Sequence, residues 1–393
     1  MRSFVLLLSM LFLSGCITSE DKIDYVPKGE PDPLSVSTTL SILEIESRWN
    51  RELVDHFGEI SGHPCVMLDK DGLPSLFYFE ALDNYVKFAR RDDEEWSYDS
   101  IKSASTTEPL KSCHIREDSN RNNHIIFLTQ NSNQLYYATY SDGWLVKNTD
   151  LSDGKIRKVR LEMGEWDDPE IALVAGDKVI HAVHYNDVWH HEIISGAGLD
   201  VDMDIDDDRQ THLAYLSGDF STQQLHYVKK VLTNWKHELL LDDVKGIKEL
   251  NLRVDDSFRP NIVYFDSLDD KLVYMYPEDG RWLRQVITGD VGEIGAIDFV
   301  IGFDGTSHVL YKVLDIEHPY IVYSVLVGGN WTSERITGSG DPSMAVDADG
   351  EVGIVYAGPI NEIPEMYEEL VFKPEENRTV LHYLTTRKKY KFI

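Results

Sequence analysis

Residues 181 to 192 carry the side chains whose types and spacing are best suited to metal binding. His181, His184, His190 and His191 lie within eleven residues of sequence, and Glu192 follows directly. Imidazole and carboxylate groups are common zinc ligands, and a zinc site needs three or four of them converging at about 2 Å. Convergence depends on the secondary structure that carries these side chains, and a repeat in the sequence indicates that structure.

Trp189, within this stretch, belongs to a series of tryptophans spaced by 45 to 49 residues. The series comprises Trp49, Trp96, Trp144, Trp189, Trp235, Trp282 and Trp331, and only Trp166 lies outside it. The residues after each tryptophan also repeat, as in WHHEII, WKHELL and WTSERI. The histidine-rich stretch is therefore one copy of a repeated strand, in which Glu192 occupies the position of Glu52, Glu238 and Glu334.

Three further short strands precede most of these tryptophans. An aromatic residue stands about eight positions before the tryptophan, and upstream of it lies a strand such as HLAY, HVLY or GIVY. A polar turn such as DKDG or DADG separates that strand from the first strand of the unit. Four strands in about 47 residues, repeated seven times, are the signature of β-propeller blades. We therefore predict an all-β fold, a seven-bladed β-propeller of four-stranded antiparallel blades.

The two ends of the repeat region predict how the ring closes. The segment RWNRELV, at residues 48–54, reads as a fourth strand without the preceding three, while the last unit, from Asp341, supplies three strands and no tryptophan-bearing fourth. We therefore expect the N-terminal strand to complete the last blade, which would remove the exposed sheet edges that favour aggregation. The propeller is predicted to span residues 45–393.

The repeat resembles those of a known group of proteins. Its second strand carries H-x-x-Y and its fourth carries G-x-W-x-x-E-x-I, and both are best kept in residues 304–336. This unit resembles the propeller repeats of secreted bacterial and archaeal proteins and, more distantly, sialidase-like propellers. The Ser-x-Asp-x-Gly-x-x-Trp box of sialidases is not kept, and their arginine triad and catalytic tyrosine have no assignable counterparts. The resemblance therefore implies the fold and not a sialidase activity.

The strand pattern argues against a metal site at the histidines. Neighbouring side chains of a strand point to opposite faces, so His190 and His191 cannot both reach one ion. His181 and His184 also diverge, and His181 holds a position that the other units give to tyrosine or phenylalanine. We predict no metal here and interpret these histidines as packed and exposed members of two outer strands.

The first strand of each unit, predicted to line the central channel, carries the polar residues of interest. In unit 4 the segment LDVDMDID places Asp200, Asp202, Asp204 and Asp206 on one face. Four buried, unpaired carboxylates would be very costly, so we expect that face to be wet or ion-bound. The predicted channel lining comprises Lys158, Arg160, Asp200, Asp202, Glu249, Asn251, Asp298 and Asp341. One level of it should hold Cys65, His114, Arg160, Asp202, Asn251, Asp298 and Ser343.

This lining has two interpretations. It is either an ion-paired, water-filled wall or a polar ligand site, since convergent His, Arg, Asp and Asn side chains suit sugar recognition and acid–base catalysis. For catalysis the candidates are Asp202, Asp298, His114 and Arg160. An enzyme would need a carboxylate pair about 5 to 10 Å apart, or a base beside a cation.

Two other features are candidate sites. The acidic turns, such as Asp69 with Asp71 and Asp347 with Asp349, contain oxygen ligands that suit Ca²⁺. Asp followed by Gly is also what a tight turn requires, so we predict no cofactor and keep calcium as the alternative. An insertion at about residues 358–378 of the last unit is either a lid or partner contact over the channel mouth or a surface elaboration.

The N-terminus predicts export and membrane attachment. Residues 1–15 contain an apolar run that is too short to span a bilayer as a mature helix and is typical of a signal peptide. The run ends in LSGC, which resembles the bacterial lipoprotein processing box, with Cys16 as the lipidated residue; the alternative is an ordinary signal peptide with an unrelated cysteine. Residues 16–44 are polar and Pro-rich, as expected of a flexible tether. We predict a lipid-anchored protein on the cell membrane or outer membrane, with the propeller outside the cytoplasm.

Charge and cysteine content restrict the partners. With 68 acidic and 38 basic residues the net charge is −30, which disfavours nucleic acid and anionic lipid surfaces. Besides Cys16 the chain contains Cys65 and Cys113, which in an exported protein are either a disulfide or two buried thiols.

No nucleophile elbow, phosphate-binding glycine loop or metal-spaced cysteine pair is found in the sequence. We therefore predict a binding or scaffold module for a protein or glycan partner of the cell envelope. The alternative is a carbohydrate-active enzyme, a glycoside hydrolase or polysaccharide lyase, acting at the channel mouth. A third hypothesis is that the protein is a purely structural component of the cell envelope.

Overall fold

A computed structural model describes residues 49–386 except 56–57, 93–94, 102–106, 142, 152–153, 220, 316–317, 337 and 360–377, together with a strand at residues 23–24. The predicted signal peptide, Cys16, most of the predicted tether and most of the 358–378 insertion lie outside the described residues. No helix in the described part of the chain has the length and apolar character needed to span a membrane.

The described chain consists of β-strands that form seven units of four. Two strands come first: β1 (Ile23–Asp24) and β2 (Asn50–Asp55). Unit 1 comprises β3 (Ile60–Leu68), β4 (Pro74–Glu80), β5 (Tyr85–Arg91) and β6 (Trp96–Ile101). Unit 2 comprises β7 (Leu110–Glu117), β8 (Asn123–Thr129), β9 (Leu135–Tyr140) and β10 (Trp144–Asn148). Unit 3 comprises β11 (Ile156–Met163), β12 (Pro169–Ala175), β13 (Lys178–Tyr185) and β14 (Val188–Ser195). Unit 4 comprises β15 (Gly198–Ile205), β16 (Thr211–Gly218), β17 (Gln223–Val231) and β18 (Asn234–Val244).

The remaining units follow the same order. Unit 5 comprises β19 (Ile247–Val254), β20 (Pro260–Asp266), β21 (Lys271–Glu278) and β22 (Arg281–Gly289). Unit 6 comprises β23 (Ile294–Ile301), β24 (Ser307–Val313), β25 (Tyr320–Val327) and β26 (Asn330–Ile336). Unit 7 comprises β27 (Pro342–Val346), β28 (Val352–Pro359), β29 (Thr379–Thr385) and β2. The predicted pairing of the N-terminal strand with the last unit is confirmed, since β2 pairs antiparallel with β29 and brings Glu52 opposite Tyr383.

The units are blades of four antiparallel strands in a propeller arrangement, but they form five separate blades rather than the predicted seven. Units 3, 4, 5, 6 and 7 are separate sheets, and β1 adds a fifth strand to the outer edge of unit 5. Units 1 and 2 instead form one eight-stranded sheet. The physical reason is one parallel bridge between Gly62 of β3 and Leu110 of β7, the first strands of the two units.

The apolar residues lie between successive units. Each unit contributes one face to a cluster shared with the unit before it and the other face to a cluster shared with the unit after it. Successive first strands also contact one another in a closed cycle, from β3 through β7, β11, β15, β19, β23 and β27 back to β3. The first strands therefore surround a central channel.

The repeated tryptophans join the outer parts of the units. Each packs against the third-strand aromatic residue of the preceding unit, with ring centroids 4.9 to 5.7 Å apart. The pairs are Trp96 with Tyr383, Trp144 with Phe88, Trp189 with Tyr137, Trp235 with His181, Trp282 with Tyr227, Trp331 with Tyr274 and Trp49 with Tyr323. Trp282 also donates a 2.9 Å hydrogen bond to Glu238, which explains why a glutamate recurs three residues after the tryptophan.

Candidate functional site

The first strands enclose a channel cavity of about 940 Å³. All eight residues predicted to line the channel lie on this cavity, together with His114 and Ser343. The strand register also keeps the predicted level, since His114 lies opposite Ile126, Asp202 opposite Ala214 and Asp298 opposite Leu310, each the third residue of a second-strand motif. The structure thus brings the sequence candidates together in one place.

The carboxylates of unit 4 bind the backbone of the next unit. Leu250 donates its backbone N–H to Asp200 at 2.9 Å, Leu252 donates to Asp202 at 2.8 Å, and Val254 donates to Asp204 at 2.7 Å. A first strand is the inner edge of its sheet, so the backbone N–H groups on the side away from the second strand have no strand partner. The three aspartates satisfy these groups on β19. We expected this face to be wet or ion-bound, but the main partner of its carboxylates is the backbone of β19.

The fourth aspartate of this alternation lies elsewhere. The Asp206 carboxylate accepts the backbone N–H of Gln210 in its own turn at 2.8 Å and lies 2.9 Å from His212 Nε2 and 3.0 Å from Lys229 Nζ. It therefore stabilises the turn after β15 and does not face the channel.

Asp298 has the same role between units 6 and 7. It accepts the backbone N–H of Met344 at 2.8 Å, and Ser343 donates its hydroxyl to Asp298 at 3.3 Å. Asp202 also accepts Arg253 Nη1 at 3.0 Å. Both carboxylates proposed as catalytic from the sequence are therefore held by structural hydrogen bonds.

The other two catalytic candidates, Arg160 and His114, belong to an arginine–carboxylate network in the channel wall. Arg116 donates two hydrogen bonds of 2.6 Å to Glu162, and Arg160 donates a third of 2.9 Å. Burial opposes the charge of Glu162, but the two arginines outweigh burial and lower its pKa to about 2. Burial and the neighbouring Arg160 hold the pKa of His114 well below its usual range, so His114 is neutral and a weak base at neutral pH.

Lys158 and Glu249 form a different pair in the channel lining. Lys158 donates to the backbone carbonyl of Leu250 at 2.5 Å and lies 3.3 Å from Asp200. Glu249 lies within a break in the β19–β20 register, between Lys248 and Asn251. Burial raises the pKa of Glu249 to about 7, against the opposing effect of Lys158. Sequence alternation placed Glu249 on the polar face but gave no sign of this bulge.

A second cavity, of about 1100 Å³, lies at the mouth above the channel and shares His63, Lys111 and Asp341 with it. Its wall contains the amide and hydroxyl side chains of residues 130–134 and also Lys155 and Lys312. Lys111 donates to the carbonyl of Ile156 at 3.0 Å, and burial together with Lys155 lowers the Lys111 pKa. Sequence reasoning missed this lysine set because its members come from three units and have no common motif.

A disulfide links the walls of units 1 and 2. Cys65 of β3 and Cys113 of β7 are bonded, with their Cα atoms 5.8 Å apart. Both side chains are buried, and the bond crosses between the two units that share the eight-stranded sheet. Of the two alternatives for these cysteines, the structure therefore contains the disulfide.

The histidines of residues 181 to 191 do not converge. His190 and His191 are exposed on β14. His181 is buried, with Nε2 2.8 Å from Glu170 and Nδ1 3.3 Å from Glu192, so the two carboxylates lie on opposite sides of its ring. Among the described residues no group of three or more His, Cys, Asp or Glu side chains is arranged to hold a metal ion.

The acidic turns use their carboxylates internally. Asp69 accepts the backbone N–H groups of Asp71 and Leu73, both at 2.9 Å, and Asp347 accepts those of Asp349 at 3.0 Å and Glu351 at 2.8 Å. These hydrogen bonds explain the turn sequences without a bound ion. Calcium binding at the turns stays a prediction.

Comparison of the sequence with protein-family models and with curated proteins finds no match. Among solved structures, the chain is similar to a PL25 polysaccharide lyase, ulvan lyase, with a TM-score of 0.56, 9% identity and coverage of 78% of this chain and 93% of that chain. It is also similar to virginiamycin B lyase from Staphylococcus aureus, with a TM-score of 0.53, 10% identity and coverage of 86% and 99%. YCF48 bound to a D1 peptide gives 0.50, 10% identity and coverage of 88% and 99%. At these identities the likeness shows a β-propeller fold, shared with lyases and with a peptide-bound protein, and no activity.

Proposed function

We propose that this protein is a binding module for an anionic glycan, which enters the channel mouth beside Lys111, Lys155 and Lys312. The observation that carries the proposal is a basic cavity in an acidic protein. The mouth cavity contains these three lysines and one acidic residue, Asp341, whereas the whole chain has a net charge of −30. A concave site of one sign attracts ligands of the opposite sign against the charge of the whole chain.

The remaining lining favours a sugar over a flat protein surface. Gln130, Asn131, Ser132, Asn133 and Gln134 form one consecutive loop in the wall of the mouth cavity. Asn133 uses its amide on the Ile156 backbone, and Gln134 uses its amide on Ser132 and Asn148. The exposed amides of Gln130 and Asn131 are therefore the donors and acceptors of this loop that can fix sugar hydroxyls in the concave site. Lysines beside them suit a carboxylate or sulfate on the same ligand.

Lys155 is the best single reporter of ligand binding. Lys312 lies 2.9 Å from Asp341, and Lys111 donates to a backbone carbonyl. Lys155 is exposed, and no hydrogen bond or ion pair engages its ammonium group within the described part of the chain. Its charge is therefore available to a ligand and can be changed with little effect on the fold.

The number of blades and the cellular location are part of the same proposal. We infer seven blades, because the first strands form a closed cycle of seven and each repeated tryptophan packs on the preceding unit. We also propose that Cys16 is lipidated after removal of residues 1–15 and that residues 16–44 tether the propeller to the cell membrane or outer membrane. The partner would then be a glycan outside the cytoplasm.

A binding titration tests the proposal. The full chain is titrated with hyaluronan and with neutral dextran, at low and at high ionic strength. We expect hyaluronan to bind, to weaken as salt screens the lysines, and to bind about tenfold less tightly to Lys155→Glu. Lys236→Glu is the matched control, because Lys236 is exposed on β18 and outside the mouth cavity.

Equal binding of dextran and hyaluronan, or equal losses in the two lysine variants, would contradict a charge-dependent site at the mouth. Absence of binding to acidic and neutral glycans alike would favour the protein-partner reading instead.

The alternative, a carbohydrate-active enzyme, has one specific observation in its favour. Hydrogen bonds and ion pairs of the channel wall hold Asp202, Asp298, Arg160 and His114. Glu249 lies in the same channel with Lys158 nearby. This is a base beside a cation, the second of the two arrangements that catalysis would require.

A further inference from the structure

Glu249 differs from the other carboxylates of the channel. Asp200, Asp202, Asp204 and Asp298 accept backbone N–H groups from the next unit, Glu162 binds two arginines, and Asp341 binds Lys312. The Glu249 side chain has no hydrogen bond or ion pair closer than 4 Å among the described residues. It lines the cavity without any role in holding the wall together.

The backbone at this position is unusual. Glu249 has a φ of +53°, a left-handed conformation that is rare for a residue with a side chain. It lies in the interval between Lys248 and Asn251 where the pairing of β19 with β20 is interrupted by two residues. In unit 3 the corresponding interruption, between Ile156 and Lys158, is only one residue long. Bulges and left-handed residues of this kind re-aim side chains and are concentrated at functional sites.

The charge environment suits proton transfer. Burial, together with Asp200 and Asp341 and against the opposing effects of Lys158 and Lys248, raises the pKa of Glu249 to about 7, so the carboxyl group exchanges its proton close to neutral pH. A general base or acid is most effective when its pKa is near the working pH. Lys158 supplies a cation nearby, and two of its three N–H donors are used by Leu250 and Asp200, which leaves one for a ligand.

We propose that Glu249 catalyses β-elimination on a uronate residue of the glycan, with Lys158 binding the uronate carboxylate. This inference rests on the proposed function, because it requires an anionic glycan at the mouth. It assigns an activity to the channel cavity, which adjoins the mouth cavity through His63, Lys111 and Asp341, and a catalytic role to a residue that the wall does not need.

The reaction is balanced by one proton that leaves and returns. Glu249 removes the proton on C5 of the uronate, which the adjacent carboxylate makes acidic once Lys158 neutralises that carboxylate. The C5–H electron pair forms a C4=C5 double bond, and the C4–O4 bond breaks with its electrons leaving on O4. Protonated Glu249 then gives its proton to O4 and is regenerated as a carboxylate. No water, oxidant or other co-reactant is consumed.

This use of a single group predicts the stereochemistry of the substrate. One carboxyl group that acts as base and then as acid reaches only one face of the sugar ring, so H5 and O4 must lie on the same face. D-glucuronate and D-mannuronate meet this condition. D-galacturonate, with H5 and O4 on opposite faces, does not.

The test uses the full chain with hyaluronan, a mannuronate polymer and polygalacturonate, and follows the ultraviolet absorbance of the conjugated C4=C5 bond. We expect product from the first two polymers only. Glu249→Gln should lower turnover at least about 100-fold while hyaluronan still binds. Glu293→Gln is the matched control, because Glu293 is an exposed glutamate that precedes the first strand of the next unit.

A second readout does not depend on the variant folding. The kcat/KM of the unchanged protein should rise as pH increases through about 7, because Glu249 must be deprotonated to accept the proton. Glu249→Asp, which keeps the carboxyl group and moves it, should lose turnover while retaining that pH limb.

The outcomes separate this inference from the proposed function. Hyaluronan binding without unsaturated product overturns the elimination and leaves the binding module in place. Turnover that persists in Glu249→Gln, or cleavage of polygalacturonate at the same rate, overturns the role of Glu249. Failure of every acidic polymer to bind removes the proposed function itself.

Discussion

The Asp202 carboxylate lies 2.8 Å from the backbone nitrogen of Leu252, which belongs to the first strand of the next unit. The same carboxylate accepts Arg253 Nη1 at 3.0 Å, and Arg160 Nε lies 3.7 Å from it. Asp202 is therefore an inter-unit hydrogen-bond acceptor and the counter-ion of two buried arginines. Its conspicuous position in an alternating acidic strand reflects the construction of the channel wall rather than chemistry on a ligand.

We predict that Asp202→Ala destabilises the propeller by about 3 to 5 kcal/mol, because removing one partner of a buried ion pair leaves uncompensated charge and an unpaired N–H group. Denaturant unfolding measures the change. Asp207→Ala is the control, since Asp207 is exposed in the turn after β15. Equal stability of the Asp202 variant and the unchanged protein would show that this carboxylate is dispensable for the wall.

The sequence was informative wherever a residue recurs in every unit. Trp189 and its six equivalents predicted the strands and the pairing of β2 with β29, because repeated packing against the preceding unit imposes the same residue in each copy. The residues that share one level of the channel, such as His114, Asp202 and Asp298, were predicted for the same reason. Glu249 was predicted as channel lining, but its left-handed backbone and the two-residue interruption around it could not be predicted, because neither has a signal in the sequence pattern. The lysines of the mouth come from three units and meet only through the ring closure. The Gly62–Leu110 bridge is a single backbone contact with no counterpart in the sequence pattern.

We predict that Trp235→Ala destabilises the propeller by about 3 to 5 kcal/mol, because a large aromatic ring is removed from the junction of units 3 and 4. The Trp235 ring packs edge-on against His181 with centroids 5.3 Å apart. Trp166→Ala is the matched control: Trp166 is 78% exposed, so its loss should change the free energy of unfolding by less than about 0.5 kcal/mol. Similar losses in the two variants would argue against a specific role of the repeated tryptophans.

We predict that the Cys65–Cys113 bond stabilises the folded protein by about 4 kcal/mol, the value that the chain-entropy relation gives for the 48-residue separation. Cys65→Ser combined with Cys113→Ser should lower the unfolding midpoint, and a reducing agent should lower the midpoint of the unchanged protein but not that of the double variant. The measurement is denaturant unfolding with and without reductant. A midpoint that is insensitive to reductant in both proteins would mean that the bond contributes nothing to stability in solution.

We predict that the propeller loses stability as pH falls from about 6.5 to about 4, partly through His212. Burial lowers the pKa of His212 from 6.5 to about 4, with its Nε2 2.9 Å from Asp206 and its Nδ1 2.6 Å from the Tyr227 hydroxyl. Because the folded-state pKa is the lower one, the unfolded chain binds more protons between these two values, and stability rises with pH across that window. A shift of this size corresponds to a loss of about 3 kcal/mol at most.

This loss should be complete near pH 4 and absent above pH 6.5, where His212 is neutral in both states. His212→Gln, which keeps a polar group but does not titrate, should be less stable at pH 7 and should lose less free energy on acidification than the unchanged protein. His190→Gln is the control, because His190 is exposed on β14 and its replacement should leave the slope unchanged. Unfolding free energies measured at intervals between pH 7 and pH 4 give the slopes, and identical slopes in all three proteins would exclude His212 as the titrating group.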